Sequence, residues 1–193
     1  DSTKLENNKV EIHKKRVNIV SITEDITMSV INFAKRQKID VVFDAEQEEL
    51  YCDIDIDQME RIMLNILSNA IKYNKPNGNI DVIVKDRKEK VYIDVIDSGI
   101  GIPKDRINTI FDRFERMENK NAVIKEGSGI GLSIVKKLVD ALDGEINIES
   151  EVDKGTTVRL IFKKSKNQDG IEEVYDISQH LEEKVNLEMS DIS

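Results

Sequence analysis

DQMERIMLNILSNAIKYN, residues 57–74, is the stretch on which the fold turns. Met59, Ile62, Met63, Ile66, Leu67, Ala70 and Ile71 recur at i, i+3, i+4 and i+7 spacing, which winds them into one apolar stripe on a helix. Asp55 or Asp57 can cap its start, with Gln58 or Glu60 three residues on as a capping box requires. Lys75-Pro76-Asn77-Gly78 ends it. Away from the stripe, Asn65, Asn69, Lys72 and Tyr73 fall within about one third of the circumference, at ~100° per residue. The plain reading is the wet face of an amphipathic helix. Asparagine is a mediocre helix former, however, and two in register point toward a ligand. An amide oxygen is a hard donor that suits Mg²⁺, an ion that keeps several waters and usually binds through substrate phosphates.

Working outward, short strands are predicted at Ile39–Asp44 and Leu50–Asp53 before this helix. An antiparallel hairpin is predicted after it, Ile80–Asp86 and Lys90–Asp97 around the turn Arg87-Lys88-Glu89. The hairpin runs into Asp97-Ser98-Gly99-Ile100-Gly101-Ile102. An Asp at a strand end followed by glycines is an ordinary turn. It is also a carboxylate placed to accept an N–H, such as the amine of adenine, where backbone can approach a flat ligand closely. A short amphipathic helix, Lys104–Phe111, and a charged aperiodic stretch over residues 113–128 come next. Gly127-Ser128-Gly129-Ile130-Gly131-Leu132 then opens a helix over Ile130–Leu142. Free N–H groups at a helix start, with glycines in front, favour phosphate. The G-x-G-x-G spacing is not a dinucleotide fingerprint, and no G-x-x-x-x-G-K-[ST] occurs. Strands at Glu145–Glu149 and Thr156–Lys163 close the pattern, and an amphipathic helix is predicted near the start, over Val17–Ala34.

Composition narrows the chemistry. The chain has 193 residues, with 29 Lys and Arg against 38 Asp and Glu, a net charge of -9 that argues against a nucleic-acid partner. A hydrophobic share of 39% with 35% charged residues describes a globular chain in water. The single cysteine, Cys52, rules out an internal disulfide and any multi-cysteine zinc site. No apolar run approaches the ~20 residues that cross a bilayer. A reducing, cytoplasmic setting is expected.

Taken in order, the Asn-bearing helix, D-x-G-x-G-I, the phenylalanine-rich IFDRFERM (110–117), G-x-G-x-G-L and a final G-T-T resemble the ATP-binding catalytic domain of sensor histidine kinases. They match that family's N, G1, F, G2 and G3 boxes, within the superfamily shared with gyrase, the Hsp90 chaperones and MutL. The resemblance covers roughly residues 38–164. It implies an α+β fold of the Bergerat type, a two-layer sandwich whose mixed, mostly antiparallel sheet packs against helices. It implies ATP and Mg²⁺ as cofactors. Asn69 would be the Mg²⁺ ligand, with Asn65 one turn earlier. Lys72 and Tyr73 would line the phosphate and ribose side, and Asp97 would accept the adenine amine. Gly99 and Gly101 would give close backbone approach, and Arg116 would reach the terminal phosphate. Gly127, Gly129 and Gly131 would form the lid hinge and phosphate cradle, and Thr157 would sit near the base. Ile102 and Leu132 complete the expected nucleotide-binding set.

Gyrase-like ATPases carry a Glu where this chain has Asn65. An amide takes no proton at neutral pH, so no general base is offered to water, and the γ-phosphoryl is kept for another acceptor. The resemblance implies that the acceptor is a histidine in a dimerisation hairpin, followed by a response regulator, in a full-length homodimer. His13, in E-I-H-K-K-R, and His180, in S-Q-H-L-E-E, do not match the acceptor motif, so this chain alone is not expected to phosphorylate itself. Opening on Asp1, it reads as a piece of something longer. Residues 1–37 are expected to be the end of that hairpin and a linker helix, 38–164 the ATP-binding domain, and 165–193 a tail. In the tail, alternating Val185, Leu187 and Met189 suggest an edge strand, a docked segment or a partly ordered end. The competing functions are a serine kinase of the anti-sigma-factor type and a non-catalytic nucleotide-sensing module.

Overall fold

The computed structural model describes residues 11–109, 128–170, 180–190 and 192, the side chains of 128–131 excepted. In chain order its elements are β1 (Lys15–Asn18), α1 (Ile19–Ser29), α2 (Ile31–Arg36), β2 (Asp40–Ala45), β3 (Tyr51–Ile54), α3 (Ile56–Lys72), β4 (Asn79–Arg87) and β5 (Lys90–Asp97). They continue with α4 (Lys104–Ile107), α5 (Ser128–Ala141), β6 (Glu145–Glu151), β7 (Gly155–Lys163) and α6 (Leu181–Glu188).

Asp55 starts α3 by accepting the Gln58 N–H at 3.3 Å, and its other oxygen accepts the His13 N–H at 2.9 Å. All seven residues of the predicted stripe are buried, the six larger than alanine contributing about 1.5–3 kcal/mol each. The stripe packs on a five-stranded sheet of order β2-β4-β5-β7-β6. Only β2 and β4 run parallel; the other neighbours are antiparallel. The inward positions of the central strands, Ile80, Val82 and Val84 on β4 and Val91, Ile93 and Val95 on β5, are buried with α3 and α5 in one core. The result is the expected α+β sandwich with a mixed, mostly antiparallel sheet.

The N-terminal helix differs from its prediction. The run from Val17 begins as β1, paired antiparallel with β3, and the helical part breaks at Val30 into α1 and α2. The cause is Asn18. Its Oδ1 accepts the Val20 N–H at 3.2 Å and the Leu50 N–H at 3.1 Å, so it caps α1 and anchors the approach to β3 together. The predicted short helix at Lys104–Phe111 is seen at Lys104–Ile107, and its end lies outside the described residues, as does most of the aperiodic stretch 113–128.

Residues 185–189 form no strand. They form the end of α6 and its C-cap Met189, because the period that matters is Leu181, Val185 and Met189, all buried in the same core. Before α6, the Gln168 side chain acts as a strand-like partner for β3. Its Oε1 accepts the Tyr51 N–H at 3.0 Å, and its Nε2 donates to the Tyr51 carbonyl at 2.7 Å. Among the described residues no helix is long and apolar enough to cross a membrane.

Candidate functional site

Three backbone segments meet at the C-terminal end of α3. The Ile100 N–H donates to the Tyr73 carbonyl at 3.0 Å, stitching the loop after β5 to the helix end. The Ser98 hydroxyl, Asn74 Oδ1 and the Asn79 N–H form a chain of bonds at 3.1 and 2.9 Å that ties the same loop to the start of β4. Glycine is required for this closeness. A Cβ on Gly99 would stand 2.4 Å from the Tyr73 carbonyl oxygen, and one on Gly101, where φ is +75°, would stand 2.1 Å from that of Glu151. The close approach expected toward a ligand is thus, at both positions, an approach of the chain to itself.

Asp97 ends β5 opposite Thr156 of β7. Its Oδ1 accepts the Gly99 N–H at 2.9 Å and the Thr156 N–H at 3.2 Å, and among the described residues Oδ2 has no hydrogen bond. Burial pushes the carboxyl up to about 6, against the pull of the two N–H donors. A partly desolvated carboxylate with one oxygen unused is a strong acceptor waiting for a donor.

That carboxylate lines a pocket between α3 and the sheet. Its apolar walls are Ile66 and Ala70 of α3, Val95 of β5, Ile102 of the loop, and Ile148 and Val158 of β6 and β7. Asn69, Tyr73, Asp97 and Thr156 supply the polar groups. Asn69 Nδ2 is buried and has no partner among the described residues. A buried amide without a partner is rare in a folded protein and marks a place where something else is expected to bind. A flat, apolar slot with one acceptor on its floor and an amide at its side suits an aromatic heterocycle carrying an exocyclic amine.

Of the residues expected from sequence, Asn69, Tyr73, Asp97, Gly101, Ile102 and Leu132 line this one pocket. Gly99 stands behind Asp97 as a donor to it. Asn65 lies one turn before Asn69 on α3, and Lys72 ends that helix; both are half-buried and neither lines the pocket. Leu132, one turn into α5, lines the pocket, and Gly129 and Gly131 precede it in the same helix. Arg116 and Gly127 lie outside the described residues.

Thr157 is not at the pocket; Thr156 is. Alternation along β7 turns Thr156 and Val158 to one face and Thr157 to the other, where it pairs with Ile96 and Glu149. The buried run Val158, Leu160 and Phe162 carries this parity in the sequence. Sequence reading also missed Ser150. Its hydroxyl accepts the Ile102 N–H at 2.7 Å and lies 2.7 Å from Thr156 Oγ1, linking two pocket walls.

Fold and pocket together define an α+β sandwich domain with an apolar pocket between helix and sheet. Residues 54–166 match the family model described as histidine kinase-, DNA gyrase B-, and HSP90-like ATPase. The chain belongs to that family. It is 30% identical over 169 residues to the sensor histidine kinase WalK of Bacillus subtilis (strain 168), covering 86% of this chain and 28% of WalK. It is 35% identical over 161 residues to the histidine-protein kinase ArlS of Staphylococcus haemolyticus, covering 82% and 35%. The chain thus spans about a third of the length of these relatives. A solved catalytic domain of histidine kinase ThkA is similar with a TM-score of 0.69 and 25% identity, over 79% of this chain and 99% of that one. Full-length ShkA in complex with AMPPNP shares the fold with a TM-score of 0.71 at 21% identity, over 83% of this chain and 33% of ShkA. The domain is homologous to the catalytic domains of two-component sensor kinases.

Proposed function

We propose that this chain binds Mg-ATP in the α3–α5 pocket and positions the γ-phosphoryl for transfer to a histidine of a dimerisation domain. The observation that carries the reading is the pairing of Asp97, with its unused oxygen on the floor of an apolar slot, and Asn69, with its unpaired amide on the wall. Asp97 Oδ2 accepts the adenine amine while the apolar walls hold the ring. Tyr73, at the end of α3, flanks the sugar side, with Lys72 beside it. The first turn of α5 offers backbone N–H groups and the positive end of a 14-residue helix to the phosphates.

Asn69 would hold Mg²⁺ through its amide oxygen, a hard donor, while its unpartnered Nδ2 would donate to a nucleotide oxygen. Among the described residues no cluster of three His, Cys, Asp or Glu side chains suits a metal. Asn69 is the side chain that would hold the ion. When bound it would neutralise charge on the phosphates. Asn65 has no proton-accepting nitrogen and cannot activate water, so the bound nucleotide is held for an external acceptor. Catalysis of this kind is positioning and charge balance, which a rigid pocket supplies. The dimerisation domain, a response regulator downstream and a full-length homodimer are the partners this reading requires, and ATP supply puts the domain in the cytoplasm. Residues 38–164 are assigned to the nucleotide domain proper.

The test is incubation of the chain with γ-labelled ATP and a separate dimerisation domain bearing an acceptor histidine. Label that is acid-labile and alkali-stable on that domain supports the reading. Acid-stable label on serine would replace it with a serine kinase. Tight nucleotide binding with no transfer to any acceptor would leave a sensing module.

A further inference from the structure

Helix α6 runs along the back of the helix that carries the asparagines. Leu181, Val185 and Met189 are buried against the core, one turn apart. Lys184 and Glu188 lie on the same side between them. Lys184 Nζ stands 2.7 Å from Glu60 Oε1 and 3.1 Å from Asp57 Oδ1. Glu188 Oε1 accepts from the Ser68 hydroxyl at 3.4 Å, and the same hydroxyl bonds the Asn65 carbonyl at 3.0 Å. The contacts advance in one direction along both helices, from Asp57 and Glu60 to Ser68.

Glu60 is the unusual member, with 0% exposure the one charged side chain among the buried residues of α3. A buried charge is tolerated only when paired, and removing a close partner is strongly destabilising. Burial alone would lower the Lys184 ammonium, but Glu60 and then Asp57 outweigh it and hold it above its ordinary value. Geometry says where this acts. Glu60 and Asn69 are nine residues apart, which at ~100° per residue puts them on opposite sides of the helix. Ser68, the other point of grip, is the residue before Asn69. The nucleotide pocket therefore bears on the front of α3 while α6 holds it from behind.

We infer that α6 is a positioning clamp on the nucleotide-binding helix, and that Lys184 is the residue through which it fixes the placement of Asn69. The inference rests on the reading that Mg-nucleotide binds at Asn69. Without Lys184, the buried Glu60 loses its cation at 2.7 Å, and the adjustment of α3 that follows moves the asparagine face. Lys184 touches no substrate and is a positioning residue.

The experiment is calorimetric titration of the full chain with a non-hydrolysable ATP analogue, with and without Mg²⁺, well below the melting temperature of each variant. Lys184→Met is expected to raise the Kd with Mg²⁺ about two- to thirtyfold, with a smaller change without Mg²⁺. Lys184→Arg, which keeps the charge, is expected to bind like wild type. Glu60→Leu combined with Lys184→Met, which restores an apolar seam, is expected to recover the affinity. Should Lys184→Met fail to fold, Lys184→Gln carries the same comparison. A lowered melting temperature with unchanged Kd in both Mg²⁺ conditions would overturn the clamp and leave α6 as a stabilising element. If the wild-type chain itself bound no Mg-nucleotide, the nucleotide reading would fall and the clamp with it. Binding by wild type and equal binding by the Lys184 variant would remove the clamp alone.

Discussion

Replacing Asp97 by Asn separates what the folded chain loses by holding a carboxylate in the pocket from what the pocket gains. Oδ1 of either side chain can accept the Gly99 and Thr156 N–H groups, so the backbone bonds survive. Burial raises the wild-type carboxyl from its ordinary 3.8 to about 6, which at about 1.4 kcal/mol per tenfold costs the fold up to ~3 kcal/mol at neutral pH. The sign follows from proton binding. Between pH 3.8 and 6 the folded state holds the proton more tightly than the unfolded one, so stability from this group falls as pH rises through that window and levels off above it. Asp97→Asn removes that loss. Its melting temperature should exceed wild type by up to about 6–12 °C at pH 7, with the difference vanishing near pH 4. Nucleotide affinity should move the other way. The amide turns an N–H toward the adenine amine, losing a charge-assisted bond worth about 1.5–3 kcal/mol, or roughly tenfold to 150-fold in Kd. Wild-type affinity should also weaken as pH drops below about 6, while the variant's should not. Differential scanning calorimetry and isothermal titration on the same samples read both quantities. Unchanged Kd would refute the adenine assignment, and a lower melting temperature at pH 7 would refute the buried-charge argument.

Gly155→Ala places a Cβ 2.0 Å from the Asp97 carbonyl oxygen at φ +115°. It should destabilise the fold by about 2 kcal/mol or more and weaken nucleotide binding by displacing Asp97; urea unfolding and titration check the two effects. Asp55→Ala removes the cap of α3 and the acceptor of the His13 N–H. A loss of about 1–2 kcal/mol with nearly unchanged nucleotide Kd is expected in chemical denaturation. Asn65→Glu supplies the proton acceptor that α3 lacks. Release of inorganic phosphate from ATP without any acceptor protein should rise by up to about a hundredfold, and a flat rate would show that the residue does not face the reacting phosphate.

The helix that organises the fold was legible because its apolar residues are spaced for one face and because packing used that face without exception. The hairpin β4–β5 was legible from alternation and its charged turn. Asp97 could be located since it closes a strand whose end is fixed by Ser98 and Gly99. Other features depend on tertiary choices that no local window contains. Thr156 and Thr157 are equivalent as letters, and only the burial parity of Val158, Leu160 and Phe162 tells which one faces the pocket. Asn18 looks like one residue inside a helical pattern, yet its side chain serves two elements 30 residues apart, which ends the helix there. In α6 the alternation of Val185, Leu187 and Met189 was misleading. Leu187 is 78% exposed, while Leu181, on the same helical face as Val185, supplies the missing contact. Gly101 was expected to make room for a ligand, but the φ of +75° and the Glu151 backbone explain the glycine first.

The most direct test of the account is calorimetric titration of the wild-type chain and Asn69→Ala with a non-hydrolysable ATP analogue, each with and without Mg²⁺. The account predicts micromolar binding by wild type that tightens with Mg²⁺, and an Asn69 variant that retains weak adenine-driven binding but no longer responds to the metal. A wild-type chain with no detectable binding at millimolar nucleotide, or an Asn69 variant with an undiminished Mg²⁺ response, would contradict it.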